Sequence, residues 1–227
     1  LSLLSKNDME SAMNAETDGV WSRLLAQPLA ALMAVISFGF AVTAVVLPLH
    51  QLNQDSASAT VQVAAQDATR NLGQLPGIPG EAALTPTDSD GLTVTLTATN
   101  GTDGQPVPAT MRLLSEAGTA LWAGSLAVIF GLLTGIIMRI GNAQPFATAN
   151  SNRMVAIAAA IVVGSVGADT LNWANATVIY NFVGAREPIV VTPYYSLLPL
   201  LLAALVLVLA SVFSRGQRIE ADVEGLV

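Results

Sequence analysis

The most informative feature of the sequence is the distribution of its apolar residues, which fall into four long blocks separated by polar segments. Within these blocks the apolar residues follow neither a 3.6-residue nor a 2.0-residue period, so a conventional soluble core does not explain them. A helix needs about 20 apolar residues to cross a hydrocarbon core. The blocks therefore predict an all-α integral membrane protein with four transmembrane helices, at residues 28–50, 118–138, 154–182 and 194–213.

The polar segments between these spans predict the topology of the chain. Basic residues concentrate on the cytoplasmic side of a membrane. If both termini are inside, six basic residues are cytoplasmic and three are outside; the six are Lys6, Arg23, Arg139, Arg153, Arg215 and Arg218, and the three are Arg70, Arg112 and Arg186. We therefore expect a multi-pass protein of a bacterial inner membrane with a cytoplasmic segment at 1–27, an extracytoplasmic insertion at 51–117, a cytoplasmic loop at 139–153, a short outer loop at 183–193 and a cytoplasmic tail at 214–227.

The insertion carries the pattern of a small β element. Leu92, Val94, Leu96 and Ala98 alternate with threonines, which predicts a half-buried strand that enters a turn at Asn100-Gly101. The segment 61–63 offers a second strand, whereas the proline- and glycine-rich stretch 74–86 predicts irregular chain. A disordered linker is the alternative. For residues 1–27, both a juxtamembrane amphipathic helix and a frayed tail fit the pattern.

Composition narrows the functional classes. Only 11% of the residues are charged, against about a quarter in soluble domains, and 52% are hydrophobic. The absence of cysteine excludes disulfides and thiolate chemistry, and a single histidine argues against a multi-histidine metal or haem site. A net charge of −7 argues against nucleic acid as a partner. No nucleotide-binding, hydrolase or metalloprotease motif is present in the sequence, so we expect no enzymatic activity, no catalytic residue, no metal and no cofactor.

The polar residues inside the predicted spans are the first candidates for a functional site. An ionisable group in a membrane helix is costly and marks a site by default, which singles out Asp169. Helical spacing places Ser165 and Asn172 on the same face. Counting the helical rise from Arg153 places Asp169 nearer the outer boundary than the midplane. Two interpretations follow: an interfacial acid that is hydrated or paired with Asn172, Asn175 or His50, or a proton or cation site. His50 itself ends the first span on the same side.

Rows of small residues predict where helices pack closely. Such rows let two backbones approach in lipid, where no hydrophobic drive brings helices together. The second span carries Gly131 and Gly135, and the third span carries a four-residue repeat at Ala156, Ala160, Gly164 and Ala168. Packing within the chain and docking against another membrane protein both fit. Four arginines are expected to anchor the inner interface, namely Arg139, Arg153, Arg215 and Arg218.

Two cytoplasmic stretches resemble a known bacterial membrane family, domain of unknown function 2975. The first contains Pro145-Phe146 with Asn150 and Arg153 ahead of the third span, and the second runs from Val212-Phe213 through Gly216 to Leu226-Val227. The resemblance implies a four-helix layout and brings no activity, cofactor or catalytic residue. In the tail, the four-residue spacing of Glu220 and Glu224 suggests a short helix that folds back on the loop containing Arg139 and Arg153.

Three functions compete on this evidence. The first is a non-catalytic accessory or structural subunit of a larger membrane complex, whose partners are the lipid bilayer and other integral membrane subunits. An actinobacterial respiratory supercomplex is one candidate host, because Ala and Val abound and Lys6 is the only lysine among the basic residues, which is typical of a GC-rich bacterial genome. The second is a small solute or proton-coupled transporter that uses Asp169. The third is a membrane sensor that reads a ligand through the insertion.

Overall fold

A computed structural model of the chain describes residues 6–64, 83–86, 91–98, 106–142, 148–182, 193 and 195–224. It contains four long helices, α1 (Lys6–Gln51), α2 (Ala109–Gly141), α3 (Thr148–Phe182) and α4 (Leu197–Glu224). Each helix includes a stretch that is long and apolar enough to cross a membrane. The prediction of four membrane-spanning helices is thus confirmed in length and composition. The predicted Asn100-Gly101 turn, Pro145-Phe146 and most of the outer loop at 183–193 lie outside the described residues.

The helices are longer than the apolar blocks. Helix α1 includes most of the N-terminal segment, and α2 begins at Ala109, ahead of the predicted start of its span. At that start the carbonyl of Pro108 accepts the N–H groups of Met111 and Arg112. Helix propensity does not end where lipid contact ends, so an apolar window marks only the membrane part of a helix. The prediction of a short separate helix in the tail is wrong, since α4 is continuous from Leu197 to Glu224. The reason is the same: the helix continues beyond the apolar window.

Three strands lie between α1 and α2. The strands are β1 (Ala57–Ala64), β2 (Ala83–Pro86) and β3 (Gly91–Ala98), and they form one sheet in the order β1-β3-β2. Both pairings are antiparallel, with Ala57 opposite Ala98 and Ala83 opposite Thr95. Strand β2 corrects the prediction that 74–86 is irregular throughout. Its Pro86 is tolerated because β2 is an edge strand and proline cannot donate to a central ladder.

The chain divides into two compact units. The first comprises residues 1–40, 126–161 and 200–227. In it, Phe40 of α1 and Phe130 of α2 stack with ring centroids 5.8 Å apart, and the Ser37 hydroxyl donates to the Ala127 carbonyl at 2.7 Å. Helices α3 and α4 meet where the Ser151 hydroxyl donates to the Ala210 carbonyl at 3.2 Å. Each of these contacts therefore joins helices that are adjacent along the chain.

The second unit comprises residues 41–125 and 162–199. It contains the end of α1, the sheet, the first part of α2, the last part of α3 and the beginning of α4. Its best-buried side chains include Ala57 and Ala98, which face each other at the end of the β1–β3 ladder, and Ala176 and Ile179 of α3. This unit also holds the polar residues that the sequence singled out.

Candidate functional site

Asp169 of α3 contacts the beginning of α4. The backbone N–H of Ser196 donates a hydrogen bond to the Asp169 carboxyl group. Helix α4 begins at Leu197, so this N–H belongs to the residue that flanks the helix and cannot be satisfied by a preceding turn. A negative charge is favourable at this position because the N-terminal end of a helix carries partial positive charge. The geometry therefore gives Asp169 the role of a helix cap supplied by a neighbouring helix.

The adjacent residue reinforces the same contact. The hydroxyl oxygens of Thr170 and Tyr195 are 3.3 Å apart, and the Thr170 hydroxyl also donates to the carbonyl of Val166 within α3. Two consecutive residues of α3 thus bond to two consecutive residues ahead of α4. This pairing fixes the start of α4 against α3.

Arg112 of α2 plays the opposite role at the end of α1. Its Nη1 atom donates to the carbonyls of Leu52 and Gln54, at 3.0 and 2.7 Å. Helix α1 ends at Gln51, and the C-terminal end of a helix carries partial negative charge that a cation stabilises. Sequence reasoning used Arg112 only to set the orientation and missed this contact, because no motif links an arginine to carbonyls 58 and 60 residues away.

The sheet is bonded to the helices through two amides. The side-chain N–H of Asn175, on α3, donates to the carbonyl of Ser58 in β1 at 3.0 Å. The side-chain N–H of Gln51, the last residue of α1, donates to the carbonyl of Ser56 at 3.0 Å. Asn175 is buried, and its Oδ1 atom has no hydrogen-bond partner among the described residues. The start of β1 is thus held at both α1 and α3.

The other predicted polar residues do not converge on Asp169. The Ser165 hydroxyl donates to the Val162 carbonyl of its own helix. The Asn172 amide lies against Gly118 of α2, and the Nε2 atom of the exposed His50 is 3.2 Å from that of Gln54. The sequence proposed His50, Asn172 or Asn175 as the partner of Asp169, and the structure gives the backbone of Ser196 instead. Shared spacing on a helix face therefore did not produce a shared site.

Small residues of α3 do form a close interface with α2. A Cβ atom added at Gly164 would lie 2.6 Å from the Ser125 side chain and 3.2 Å from the Trp122 ring, and one added at Gly167 would lie 2.7 Å from Leu121. Gly118 of α2 accommodates Asn172 in the same way. Ala168 is also buried, whereas Ala160 is half-buried and Ala156 is exposed. Only the last part of the predicted row thus lies in an interface.

Gly131 and Gly135 contact two different helices. A Cβ atom added at Gly131 would lie 3.4 Å from the Ser37 hydroxyl of α1, and one added at Gly135 would lie 2.5 Å from the Arg153 guanidinium of α3. The two glycines do not form one interface. Of the predicted anchors, Arg215 and Arg218 are exposed, and Arg139 and Arg153 are half-buried.

Two observations on the described residues concern metal and cofactor binding. Among the described residues, no group of three or more acidic or histidine side chains could bind a metal ion. One cavity of about 550 Å³ lies between α1 and α2 in the first unit. No titratable side chain is among its lining residues, which are Ala26, Gln27, Ala30, Ala31, Ala34, Thr134, Met138, Gly141 and Asn142.

One surface of α4 was not anticipated from the sequence. Helix α4 buries Ala203 and Ala210, which are seven residues apart. Elsewhere on α4 a row of large apolar side chains follows heptad spacing, and each is more than half exposed: Leu201, Leu205, Val208, Val212 and Ile219. We call this row the α4 stripe. The heptad was present in the sequence, but the uniform apolar character of the span concealed it.

These features define the class of the protein, a multi-pass membrane protein whose charged residues Asp169 and Arg112 bond to helix ends. The family described as Protein of unknown function (DUF2975) matches residues 96–226, and the chain belongs to this family. The match includes α2, α3 and α4 and confirms the family resemblance that the sequence suggested. No curated protein and no solved structure matches the chain.

Proposed function

We propose that this protein is a non-catalytic accessory subunit of a larger bacterial membrane complex and that the α4 stripe binds the partner. The stripe is the observation that carries the proposal. Its members alternate by four and three residues from Leu201 to Val212, and Ile219 follows one heptad later. This spacing is the one that lets side chains of two helices interlock along a common seam.

Two features of α4 favour a protein partner over lipid alone. First, the helix carries alanines, Ala203 and Ala210, on the face that it buries, and it leaves the larger side chains outward. Second, the stripe continues past Arg215 to Ile219, which is 65% exposed beside the exposed Arg218. Arginines near the end of a span favour the membrane interface, where acyl chains no longer cover an isoleucine.

The contacts of Asp169 weigh against a transporter. A proton or cation site needs a carboxylate that exchanges its ligand, whereas Asp169 bonds to the backbone of Ser196 and helps to define where α4 begins. Transporters also place ion sites at paired broken helices near the midplane, and α3 is unbroken from Thr148 to Phe182. The structural role of Asp169 therefore supports an accessory function.

The proposal includes a membrane and an orientation. We infer a bacterial inner membrane with both termini in the cytoplasm and the β1-β3-β2 sheet on the extracytoplasmic side. The count of basic residues supports this orientation. The bonds from Asn175 and Gln51 to the chain around β1 would then hold the sheet as a fixed surface beside the spans.

Affinity purification from native membranes in mild detergent tests the proposal with a matched pair of variants. We expect the wild-type chain to carry a larger complex with it in fixed stoichiometry, and a respiratory supercomplex is the host to examine first. Val208→Trp should abolish this association, because it overfills the seam of the stripe. Leu207→Trp is the control, because Leu207 is also exposed and apolar but lies off the stripe.

Both substitutions remain compatible with lipid, so membrane insertion should be equal for the two variants. Equal retention of the complex by Val208→Trp and Leu207→Trp would contradict the stripe as the docking surface. If the chain instead purifies as a monodisperse homo-oligomer and Asp169→Asn abolishes its solute flux, the accessory function is wrong and the protein is a transporter.

A further inference from the structure

Arg153 presents a charged donor that the described part of the chain does not satisfy. Its guanidinium group lies against the backbone of Gly135, where an added Cβ atom would be 2.5 Å from Nη1 and 2.6 Å from Cζ. The Nη1 atom is buried and has no hydrogen-bond partner among the described residues. A buried donor on a charged group that lacks an acceptor is destabilising. Among the residues whose side chains the structure describes, this guanidinium group thus lacks an acceptor for Nη1.

A second arginine shares the helix face that this donor contacts. Arg139 follows Gly135 by four residues on α2, so the two positions share a helix face. Arg139 is half-buried, and neither arginine forms an ion pair with a residue whose side chain the structure describes. Two adjacent guanidinium groups repel each other unless an anion lies between them.

Helix α4 contributes a neutral donor in the same unit. Gln217 follows Ala203 and Ala210 at the same interval of seven residues, so it lies on the face of α4 that Ala210 presents to α3. Its Nε2 atom is buried and has no partner among the described residues, as is the case for Nη1 of Arg153. Arg153 and Gln217 thus leave buried donors unsatisfied among the described residues of one unit, and Arg139 adds a positive charge on the face of α2 that Arg153 contacts.

We propose that Arg139, Arg153 and Gln217 form a binding site for a phosphate group, and that this phosphate is the headgroup of an anionic phospholipid. Guanidinium groups match the geometry of phosphate oxygens, and an amide N–H adds an uncharged donor. The position near the end of α2 at Gly141 places the site at the level where headgroups begin. Free phosphate presents the same chemistry and is a separate arm of the test. The site is independent of the docking surface on α4.

Lipid binding to the full-length chain tests the site. The purified chain is stripped of lipid in detergent and titrated with phosphatidylglycerol, with phosphatidylcholine or with inorganic phosphate, and bound ligand is counted by native mass spectrometry. We expect phosphatidylglycerol to bind at least about tenfold more tightly than phosphatidylcholine, and Arg153→Gln to remove about that factor, because a charge-assisted bond is lost. Arg153→Lys should weaken the binding of phosphatidylglycerol less, since lysine keeps the positive charge.

Arg215→Gln is the matched control, because Arg215 is exposed in the same unit and should leave the affinity unchanged. An equal loss of affinity for phosphatidylglycerol in Arg215→Gln and Arg153→Gln would contradict the site, because general charge attraction would then explain the binding. Equal binding of the two lipids would also contradict it. If inorganic phosphate is the only ligand that binds, and Arg153→Gln abolishes this binding, the result would support the phosphate site and assign it to a soluble ligand. Arg139→Gln decides the question if Arg153→Gln does not fold.

Discussion

Asp169 and Arg112 act on backbone groups, and the sign of each charge matches the helix end that it touches. Asp169 accepts from the N–H ahead of α4, and Arg112 donates to the carbonyls that follow α1. Each charge therefore faces the end of a helix whose dipole it complements. Arg112 itself lies in the first turn of α2, where a positive charge is unfavourable for its own helix. The contact with α1 offsets that cost.

Asp169 offers a prediction that separates a cap from an ion site. Asp169→Ala removes the acceptor for the Ser196 N–H and should lower the free energy of unfolding by about 1 kcal/mol, as the loss of a helix cap does. Asp169→Asn keeps an acceptor oxygen and should retain most of the stability. Thermal unfolding in detergent measures both variants, with an expected decrease of about 2–4 °C for the alanine variant.

The two variants control for each other because they differ in the acceptor and share the loss of charge. Equal destabilisation by alanine and asparagine would show that the charge, and not the hydrogen bond, is what α4 requires. Unchanged stability in both variants would contradict the cap.

The sequence singled out Asp169 but did not predict that its partner is the backbone of Ser196. Asp169 is visible because an acid in an apolar helix is rare. Its partner depends on where α4 begins, and the apolar block that predicts α4 starts at Tyr194, ahead of the observed Leu197. A backbone group also has no sequence signature, so the sequence offered only side chains such as His50 as partners of Asp169.

The interface between α2 and α3 depends on small residues that face large ones. Gly164 lies against Ser125 and Trp122, Gly167 lies against Leu121, and Gly118 lies against Asn172. The positions increase along α3 as they decrease along α2, which is the register of an antiparallel pair. Each glycine thus accommodates a side chain that would otherwise separate the helices.

Gly164 and Gly39 form a matched pair that tests this packing. Gly164→Leu places side-chain atoms where Ser125 and Trp122 already lie and should cost about 1–3 kcal/mol through overpacking. Gly39→Leu is the control, because a Cβ atom there meets nothing within 4 Å and a helical glycine is less favourable than leucine. Thermal unfolding should show a large decrease for the first variant and none for the second. Similar decreases in both would mean that the tight interface does not limit stability.

The row of small residues was only partly informative, for a geometric reason. Residues four apart on a helix advance by about 40° beyond a full turn, so a row of four positions drifts by about 120°. Gly164 and Ala168 consequently face the interior while Ala156 is exposed. A heptad drifts by only about 20°, so the α4 stripe stays on one side of the helix from Leu201 to Ile219.

For the whole molecule, the family match covers part of the chain, and several described contacts join that part to the rest. The match at 96–226 contains α2, α3 and α4, whereas α1, β1 and β2 precede it. Side-chain hydrogen bonds of three residues, Arg112, Asn175 and Ser37, join this preceding part to the matched part. Periodicity in the sequence predicts a strand at β3 and offers another within β1, but it does not predict β2. It does not predict that Asn175 holds β1, because that contact joins positions separated by 117 residues.

The absence of cysteine makes the orientation directly measurable, since a single introduced cysteine is the sole reactive thiol. Asp55→Cys, Asn142→Cys and Asp222→Cys introduce thiols at exposed positions after α1, after α2 and near the end of α4. With four spans and both termini inside, a membrane-impermeant maleimide should label residue 55 in intact cells. Residues 142 and 222 should react only after permeabilisation, because each is separated from residue 55 by an odd number of spans.

The pattern of labelling distinguishes two kinds of error. A complete reversal would keep the four spans and place both termini outside, so the phosphate site near Arg153 would face the extracytoplasmic headgroups. Labelling of residues 55 and 222 from the same side would require an even number of crossings between them, which α2, α3 and α4 do not provide. In that case one of these apolar helices would lie outside the bilayer, and its exposed side chains would need a protein partner to cover them.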